Sequence, residues 1–320
     1  MKNVLVTGGA GFIGSHVAKK LLERGDQVII VDNFNDYYDP SLKEDRIKIL
    51  LKDLSFKLYR TDIVNLDDLK KIFQKNKIDE ICHLAARAGV RASIANPFIY
   101  QQSNDLGTLN LLELAKDFKI KDFVFASSSS VYGGNAKIPF SESDPVDHPI
   151  SPYAATKKAT EVMAHVYHHL YGINCTALRF FTVCGPWGRP DMALFKFTEK
   201  ILGGKPIDVY NNGDHERDFT YIDDIVQGVV AALDNPFPYE IINLGNSHTV
   251  NLKYFIELIE KELNKKAKKN MVPLQAGDVH KTHADISKAK RLLGFEPKTN
   301  IEKTVHNFIN WYKQYYGIKN

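Results

Sequence analysis

Cysteine is scarce in this chain of 320 residues. Cys82, Cys175 and Cys184 are an odd, widely spaced set, which excludes a disulfide framework and gives no zinc-ligand spacing. Long apolar runs are also missing. The start, "MKNVLVTGGAGFIG", is apolar, but glycines break it within a few residues, so it reads as neither a signal peptide nor a membrane span. Charge of one sign is not in excess either. The net charge of +4 is too mild to imply nucleic-acid binding, and the densest basic run, "NKKAKK" at 264–269, reads as the polar end of a helix. Repeats and linker-like stretches between independent domains are absent. What remains is ordinary globular composition, 44% hydrophobic and 25% charged, which excludes a disordered chain. The expected compartment is the reducing cytoplasm.

The apolar residues are arranged in alternation. Strand-length runs at 3–8, 27–32, 57–62, 79–85, 122–129 and 174–181 are separated by helix-period segments at about 11–24, 66–74, 107–118 and 153–171. Alternating β and α in this way predicts a parallel sheet covered on both faces, a Rossmann-type doubly wound α/β fold. After residue 181 the pattern loosens. "CGPWGRPDM" (184–192) is a loop by its glycines and prolines. Helices are expected near 192–202, 251–264 and 300–317, with one more strand at 240–245. The expected division is a dinucleotide-binding domain of 1–181 plus about 222–246. A smaller C-terminal α/β substrate-binding domain of about 182–221 and 247–320 would lie over the open end of the sheet.

"TGGAGFIGSH" carries Gly8, Gly9, Gly11 and Gly14 between a strand and a helix. A glycine triplet alone marks only a tight corner. In this setting the glycines let the backbone approach a pyrophosphate at the helix N-terminus. Asp32 ends the second strand, where a carboxylate accepts hydrogen bonds from a ribose and repels a 2′-phosphate, which favours NAD over NADP.

"SPYAATKKA" (151–159) places Tyr153 and Lys157 four residues apart, on one helix face. An unperturbed tyrosine is a poor base at neutral pH. A lysine one turn away, with a nicotinamide's positive charge, favours the phenolate. Upstream, "SSSSVYGG" (127–134) looks like linker but follows the strand-like "DFVFA". Two unrelated surface residues would explain Tyr-x-x-x-Lys equally well without the glycine loop and the serine run.

Taken together, "TGGAGFIG", "HLAA" (83–86), "SSSSVYG", "YAATK", "LRFFTVCGP" (178–186), "RDFTYIDD" (217–224) and "GDVHKTHADISKA" (277–289) resemble the extended short-chain dehydrogenase/reductases along essentially the whole chain. The resemblance implies NAD as cofactor, a nucleotide-sugar as substrate, and Ser128, Tyr153 and Lys157 as the catalytic group. It implies a cofactor site of Gly8, Gly11, Phe12, Ile13, Gly14, Asp32, Asn33, Asp62, Ile63, Leu84, Ala85, Ala86, Asn104, Ser127, Tyr153, Lys157 and Phe180. On the substrate side it implies Arg91, Ser128, Ser129, Ser130, Tyr153, Thr182, Arg189, Met192, Ala193, Val209, Tyr210, Arg217 and Asp278. Arg189 and Arg217 would meet the diphosphate, where a planar guanidinium pairs well with phosphate oxygens. Asp278 would take the uridine ribose, and Tyr210 would lie near the uracil.

Dehydratases of this family resemble "TDEVYG", with an acid pair after the catalytic threonine. Here those positions are Ser129 and Ser130, neither of which can act as a carboxylic acid or carboxylate base. The simplest remaining outcome is hydride return to the other face of a 4-keto sugar, which is 4-epimerisation. "NDYYDPSLKEDR" (35–46), "AGVRASIANPFIY" (88–100) and "GPWGRPDMALFKF" (185–197) are most similar to epimerases acting on UDP-glucuronate. Ser128, Ser129, Ser130 and Thr182 could offer hydroxyl donors to its carboxylate. UDP-glucose and UDP-N-acetylglucosamine are the alternative substrates. An oxidoreductase releasing NADH and a non-catalytic NAD-binding regulator are the alternative classes.

Two departures from the family pattern stand out. Cys184 replaces the usual tyrosine, and "LQAGD" (274–278) lacks an arginine before the aspartate. Glu161, His165 and His169 are spaced like a metal face, but a polar helix surface or subunit packing is the expected reading, with no metal. The resemblance further implies a homodimer, joined through this helix and the one near 104–118.

Overall fold

The computed structural model describes residues 1–273 and 277–318. Seven strands form its main sheet: β1 (Asn3–Thr7), β2 (Gln27–Asp32), β3 (Lys57–Arg60), β4 (Glu80–His83), β5 (Asp122–Ser128), β6 (Asn174–Phe180) and, later in the chain, β10 (Tyr239–Leu244). Their spatial order is β10-β6-β5-β4-β1-β2-β3, with every pairing parallel. The order reverses beside β1, so the crevice at the strands' carboxyl ends opens there. All strands end on one edge, which brings the glycine turn after β1, Asp32 of β2, His83 of β4 and Ser127–Ser128 of β5 together.

Helices cover both faces, as the near-continuous apolar strands require. On one side, the helices Phe12–Glu23 and Ile222–Asp234 bury Val17, Leu21, Ile225 and Val229 against Val4, Val6 and Ile30. On the other, the helices Leu66–Lys75, Gly107–Asp117 and Pro152–Tyr171 bury Leu69, Leu111, Leu112 and Ala164 against Leu5, Ile81, Phe123 and Phe125. The long Pro152–Tyr171 helix has explicit end signals. Ser151 caps it by accepting the Ala154 N–H at 3.2 Å, Pro152 opens the first turn, and left-handed Gly172 closes it. The Gly107–Asp117 helix lies where its sequence pattern put it, but helical residues run on before it. It is preceded by the helical turn Pro97–Tyr100 and by Gln101–Leu106, which is wound in the wider π form.

The second lobe is built from shorter pieces. β7 (Thr182–Cys184), β9 (Glu216–Tyr221) and β11 (Thr249–Asn251) make a three-stranded sheet, and β8 (Ile207–Tyr210) pairs with β12 (Lys269–Val272). Helices Ala193–Leu202, Leu252–Leu263 and Ile301–Tyr315 pack around them through Phe195, Phe255, Ile259 and Phe308. Buried Asp218 knits the lobe together. Its carboxylate accepts the N–H groups of Asn246 at 2.6 Å, Ser247 at 3.0 Å and Ala284 at 3.0 Å. No described helix is long and apolar enough to cross a membrane.

Behind the edge of β5 lies a buried ion pair. Arg179 on β6 donates to Glu161 through Nε and Nη2, both at 2.8 Å, with each side chain 1% exposed. The Arg179 guanidinium also lies over the Tyr132 ring, 4.8 Å from its centroid. Removing one partner leaves a buried, uncompensated charge. Arg179→Met is therefore expected to lose about 3–5 kcal/mol of stability, measured by urea unfolding. Pairing it with Glu161→Leu should recover most of that loss.

Candidate active site

One cleft of about 980 Å³ runs from the glycine turn to the second lobe. At its cofactor end the backbone itself forms the wall. Gly8 sits at φ +70°, and a Cβ there would lie 2.7 Å from the Ala85 nitrogen. A Cβ on Gly14 would lie 2.1 Å from the Gly8 carbonyl oxygen. Only glycine allows this close approach, which brings the first turn of the Phe12–Glu23 helix to the cleft floor. Asp32 accepts the Ala10 N–H at 3.1 Å and the Phe34 N–H at 2.9 Å, so its carboxylate is fixed at the end of β2. Asn33 donates to Asp62 at 2.6 Å across the same rim. A glycine cradle, a helix N-terminus and a fixed carboxylate together fit a dinucleotide with a free ribose 2′-hydroxyl.

At the middle of the cleft, the Pro152–Tyr171 helix meets the end of β5. Lys157 Nζ donates to the Ala126 carbonyl at 2.6 Å. Burial pulls the Lys157 ammonium down to about 8, against the upward pull of Asp105 and Glu161. Burial likewise holds the Tyr153 phenol above its ordinary value, while a hydrogen bond with Ser128 and the Arg189 charge pull it down. The Tyr100 ring meets Tyr153 edge-on at 6.1 Å. Ser128 accepts the Ser130 N–H at 3.2 Å and starts the tight turn Ser129–Tyr132. That turn points the run back along the cleft wall, so all four serines line it.

The far end is polar. Arg189 is held by Asp191 through Nε at 2.9 Å and Nη2 at 2.5 Å. Burial works against its charge, but Asp191, with Tyr37 and Tyr153, holds the guanidinium above its ordinary value. Arg91 pairs with Asp278 at 2.7 Å and lies over the Tyr210 ring at 4.3 Å. Arg217 donates to the carbonyls of Glu216 at 3.0 Å and His280 at 3.1 Å.

The structure places most of the expected residues on this one cleft, with specific departures. Asn104 does not line it. Its side chain is buried and holds the backbone N–H and carbonyl of Arg87, at 2.8 and 3.0 Å, and the Thr156 hydroxyl at 3.0 Å. Val209 is 1% exposed and belongs to the apolar core of the second lobe. Ser127 reaches the cleft, but its hydroxyl donates to Glu161 at 2.6 Å. Arg189, expected on the substrate side, also lies close enough to Tyr153 to affect its titration. Cys184 is buried in the second lobe's core, where burial pushes its thiol up to about 12. The missing arginine of "LQAGD" falls at 274–276, outside the described residues. The Glu161, His165 and His169 side chains do not converge on one point. Glu161 turns inward to Arg179, His165 packs edge-on to Tyr239, and His169 is exposed.

Sequence reasoning missed Tyr37, Tyr38, Lys43 and Arg87, which also line the cleft. Tyr37 sits between the Arg87 and Arg189 guanidiniums, 5.5 and 5.8 Å from its ring centroid. Tyr37, Tyr38 and Arg87 come from irregular segments and Lys43 from the short helix Ser41–Asp45, so no periodicity signals a site.

Comparison with known proteins follows from this geometry. The family described as GDP-mannose 4,6 dehydratase matches residues 5–308. A UDP-glucuronate 4-epimerase of Thermodesulfobacterium geofontis is 50% identical over 311 residues, covering 97% of this chain and 96% of its own length. The crystal structure of a Bacillus cereus UDP-glucuronic acid 4-epimerase, in complex with UDP-glucuronic acid and NAD, superposes with a TM-score of 0.91 at 39% identity. It covers 98% of this chain and 100% of that one. A Thermotoga maritima UDP-glucose 4-epimerase with UDP-glucose superposes with a TM-score of 0.89 at 31% identity, covering 98% and 99%.

The cradle geometry gives a direct test. Gly14→Ala places a methyl group against the Gly8 carbonyl. NAD binding, followed by calorimetric titration of the cofactor-stripped protein, is expected to weaken at least about tenfold, or about 1.4 kcal/mol.

Proposed function

The chain belongs to the GDP-mannose 4,6 dehydratase family within the extended short-chain dehydrogenase/reductases, and on that premise we propose that it is an NAD-dependent UDP-glucuronate 4-epimerase. One observation carries the choice of epimerisation over dehydration. Ser129 and Ser130 line the cleft beside Tyr153, at the positions where dehydratases carry their acid pair. Asp191, the nearby carboxylate, is spent on Arg189.

Bound in the glycine cradle, NAD supplies hydride uptake at sugar C4 and its return to the opposite face. The protein's part is protonic and electrostatic. Tyr153 takes the C4 hydroxyl proton and later gives it back. Lys157, one turn away, stabilises the phenolate. Ser128 donates to the C4 oxygen as it becomes a carbonyl. Asp32, Asn33 and Asp62 hold the adenosine side of the cofactor, and Asn104 acts at one remove by fixing Arg87 and Thr156. Arg91, Tyr210, Arg217 and Asp278 hold the UDP end, with Asp278 exchanging its Arg91 partner for the ribose.

A 4-keto glucuronate is a β-keto acid, and an epimerase must keep it from losing carbon dioxide. We assign the carboxylate to the hydroxyls of Ser129, Ser130 and Thr182. The division into a cofactor domain of 1–181 plus 222–246 and a substrate domain from the remainder belongs to the same proposal. It is supported by β10 lying in the main sheet and by the separate apolar core of the second lobe.

A homodimer fits the outer face of the catalytic helix. Val162, Val166 and Leu170 form an exposed apolar stripe at four-residue spacing, with Leu106 and Phe98 exposed nearby in sequence to the partner helix. Three buried free cysteines suit a reducing cytoplasm.

Incubation with UDP-glucuronate, UDP-glucose or UDP-N-acetylglucosamine, without added reductant, should give C4-inverted product chiefly from UDP-glucuronate, read by NMR. No inversion of any of the three sinks the epimerase reading. Thr182→Ala and Ser129→Ala should each lower turnover of UDP-glucuronate relative to UDP-glucose. If neither changes that ratio, the hydroxyl cradle is wrong. Val166→Glu should convert the dimer to a monomer in size-exclusion chromatography with light scattering.

A further inference from the structure

Arg46 does not line the cleft, and its side chain is fully buried. A buried charge is costly to keep, so what its donors hold is informative. The guanidinium forms no ion pair among the described residues and donates only to neutral oxygens. Asp45, the carboxylate next to it in sequence, is bonded instead to the Tyr315 hydroxyl.

One acceptor is the Ala10 carbonyl, 3.2 Å from Nη1. Ala10 lies inside the glycine turn, and its own N–H donates to Asp32 at 3.1 Å. The residue is thus clamped on both sides, by the carboxylate expected to meet the ribose and by Arg46. Just beyond it, the Gly11 N–H closes the turn onto the Gly8 carbonyl at 2.9 Å. Any shift of this turn therefore reaches Arg46 directly.

The other main acceptor is the Trp187 carbonyl, 2.7 Å from Nη2 and 3.2 Å from Nε. Trp187 stands at φ +64°, a left-handed conformation that a bulky residue holds only where its surroundings enforce it. Two contacts enforce it here. Arg46 grips the carbonyl, and Tyr315, tied to Asp45, packs on the indole at 5.1 Å. Asp45 and Arg46 together hold both the backbone and the ring of Trp187. Two residues on, Arg189 enters the cleft against Asp191.

We propose that Arg46 is a positioning residue that makes cofactor binding and substrate binding one cooperative event. A cofactor seated on the glycine turn fixes the Ala10 carbonyl. That keeps the guanidinium fork aligned on Trp187 and keeps the Arg189 loop in its strained form. A substrate phosphate held by Arg189 fixes the same loop and, through the fork, the turn. With neither ligand bound, each wall can drift, and the strain at Trp187 favours release of the loop. NAD then tightens the hold on UDP, and UDP tightens the hold on NAD, by the same factor. In a reaction that leaves hydride on the cofactor and a ketone beside it, this linkage keeps both in place until the hydride returns.

The inference rests on the UDP-sugar reading for its binding arm. Equilibrium dialysis of the NAD-loaded protein, with and without saturating UDP, gives two dissociation constants for NAD. UDP should lower that constant by about fivefold or more in the wild type, and by less than about twofold in Arg46→Met. Arg46→Lys keeps the charge but not the fork, and should lose the linkage as well. It also covers the case in which Arg46→Met does not fold. No linkage in the wild type, or wild-type linkage in either variant, overturns the proposal.

The second arm needs no sugar nucleotide. The chain has two tryptophans, Trp187 and Trp311, so Trp311→Phe leaves Trp187 as the sole indole emitter. With NAD bound, its quenching by acrylamide should be weak in that background. Adding Arg46→Lys should increase it, in samples that still melt cooperatively. Unchanged quenching overturns the proposal. A wild-type holoenzyme that binds no UDP overturns the UDP-sugar reading, and the Trp187 measurement still decides the role of Arg46.

Discussion

The hydrogen bond from Lys157 to the Ala126 carbonyl is the contact on which the site depends. It ties the Pro152–Tyr171 helix to the last residues of β5 at one point. Everything else is then set by spacing. One turn back along the helix is Tyr153. One to four residues onward from Ala126 are the serines. A single donor thus registers Tyr153, the proposed base, against the serine hydroxyls. The strand cannot slide, because β5 is paired on both sides, to β4 and to β6. Nor can the helix rotate freely, because Glu161, two turns from Tyr153, is gripped by Arg179 from the neighbouring strand. The site is held by charge buried behind it as much as by the apolar core.

A comparable device joins the two ends of the cleft. Arg46 is fully buried, and its hydrogen bonds run to neutral oxygens: the carbonyls of Trp187 and Ala10 and the Tyr38 hydroxyl, at 2.7, 3.2 and 2.7 Å. Ala10 belongs to the glycine turn and Trp187 to the loop that enters the second lobe. One guanidinium therefore fastens the cofactor wall to the substrate wall, and its planar fork suits several acceptors at once. The segment that carries it also brings Tyr37 to the cleft. The stretch between β2 and β3 holds only the short helix Ser41–Asp45 and the π-wound Arg46–Leu50, each too brief to show an apolar period of its own.

This explains what was legible in the sequence. The seven-stranded sheet was readable because buried parallel strands are apolar throughout and their helices are amphipathic; the helices expected at 153–171 and 107–118 lie at Pro152–Tyr171 and Gly107–Asp117. The glycine turn was readable because only glycine tolerates that backbone approach. The strands β7, β8, β9, β11 and β12 were not: β7 and β11 are three residues long, and β8, β9 and β12 carry charged or polar residues in place of a continuous apolar run. Residues that act through another group were also hidden. Asn104 was expected on the cofactor and is instead a buried brace for Arg87. Glu161 looked like one corner of a polar helix face, and its partner Arg179 lies on a different strand. Contacts across elements of this kind leave no local spacing to read.

The same accounting of commitments bears on how a sugar carboxylate is gripped. A guanidinium is the strongest partner for a carboxylate, but only when its donors are free. Those of Arg189 face Asp191 through two bonds, and those of Arg217 face backbone carbonyls. A clamp by Arg189 would therefore have to break an existing half-buried pair before it could form. The hydroxyls of Ser129, Ser130 and Thr182 carry no such debt, because a hydroxyl rotates to donate without abandoning a charge. A neutral cradle also avoids placing a further positive charge beside Lys157, which already struggles to keep its proton in a buried site. On the proposed reading, holding the carboxylate with hydroxyls and holding the proton on the lysine are thus one electrostatic requirement.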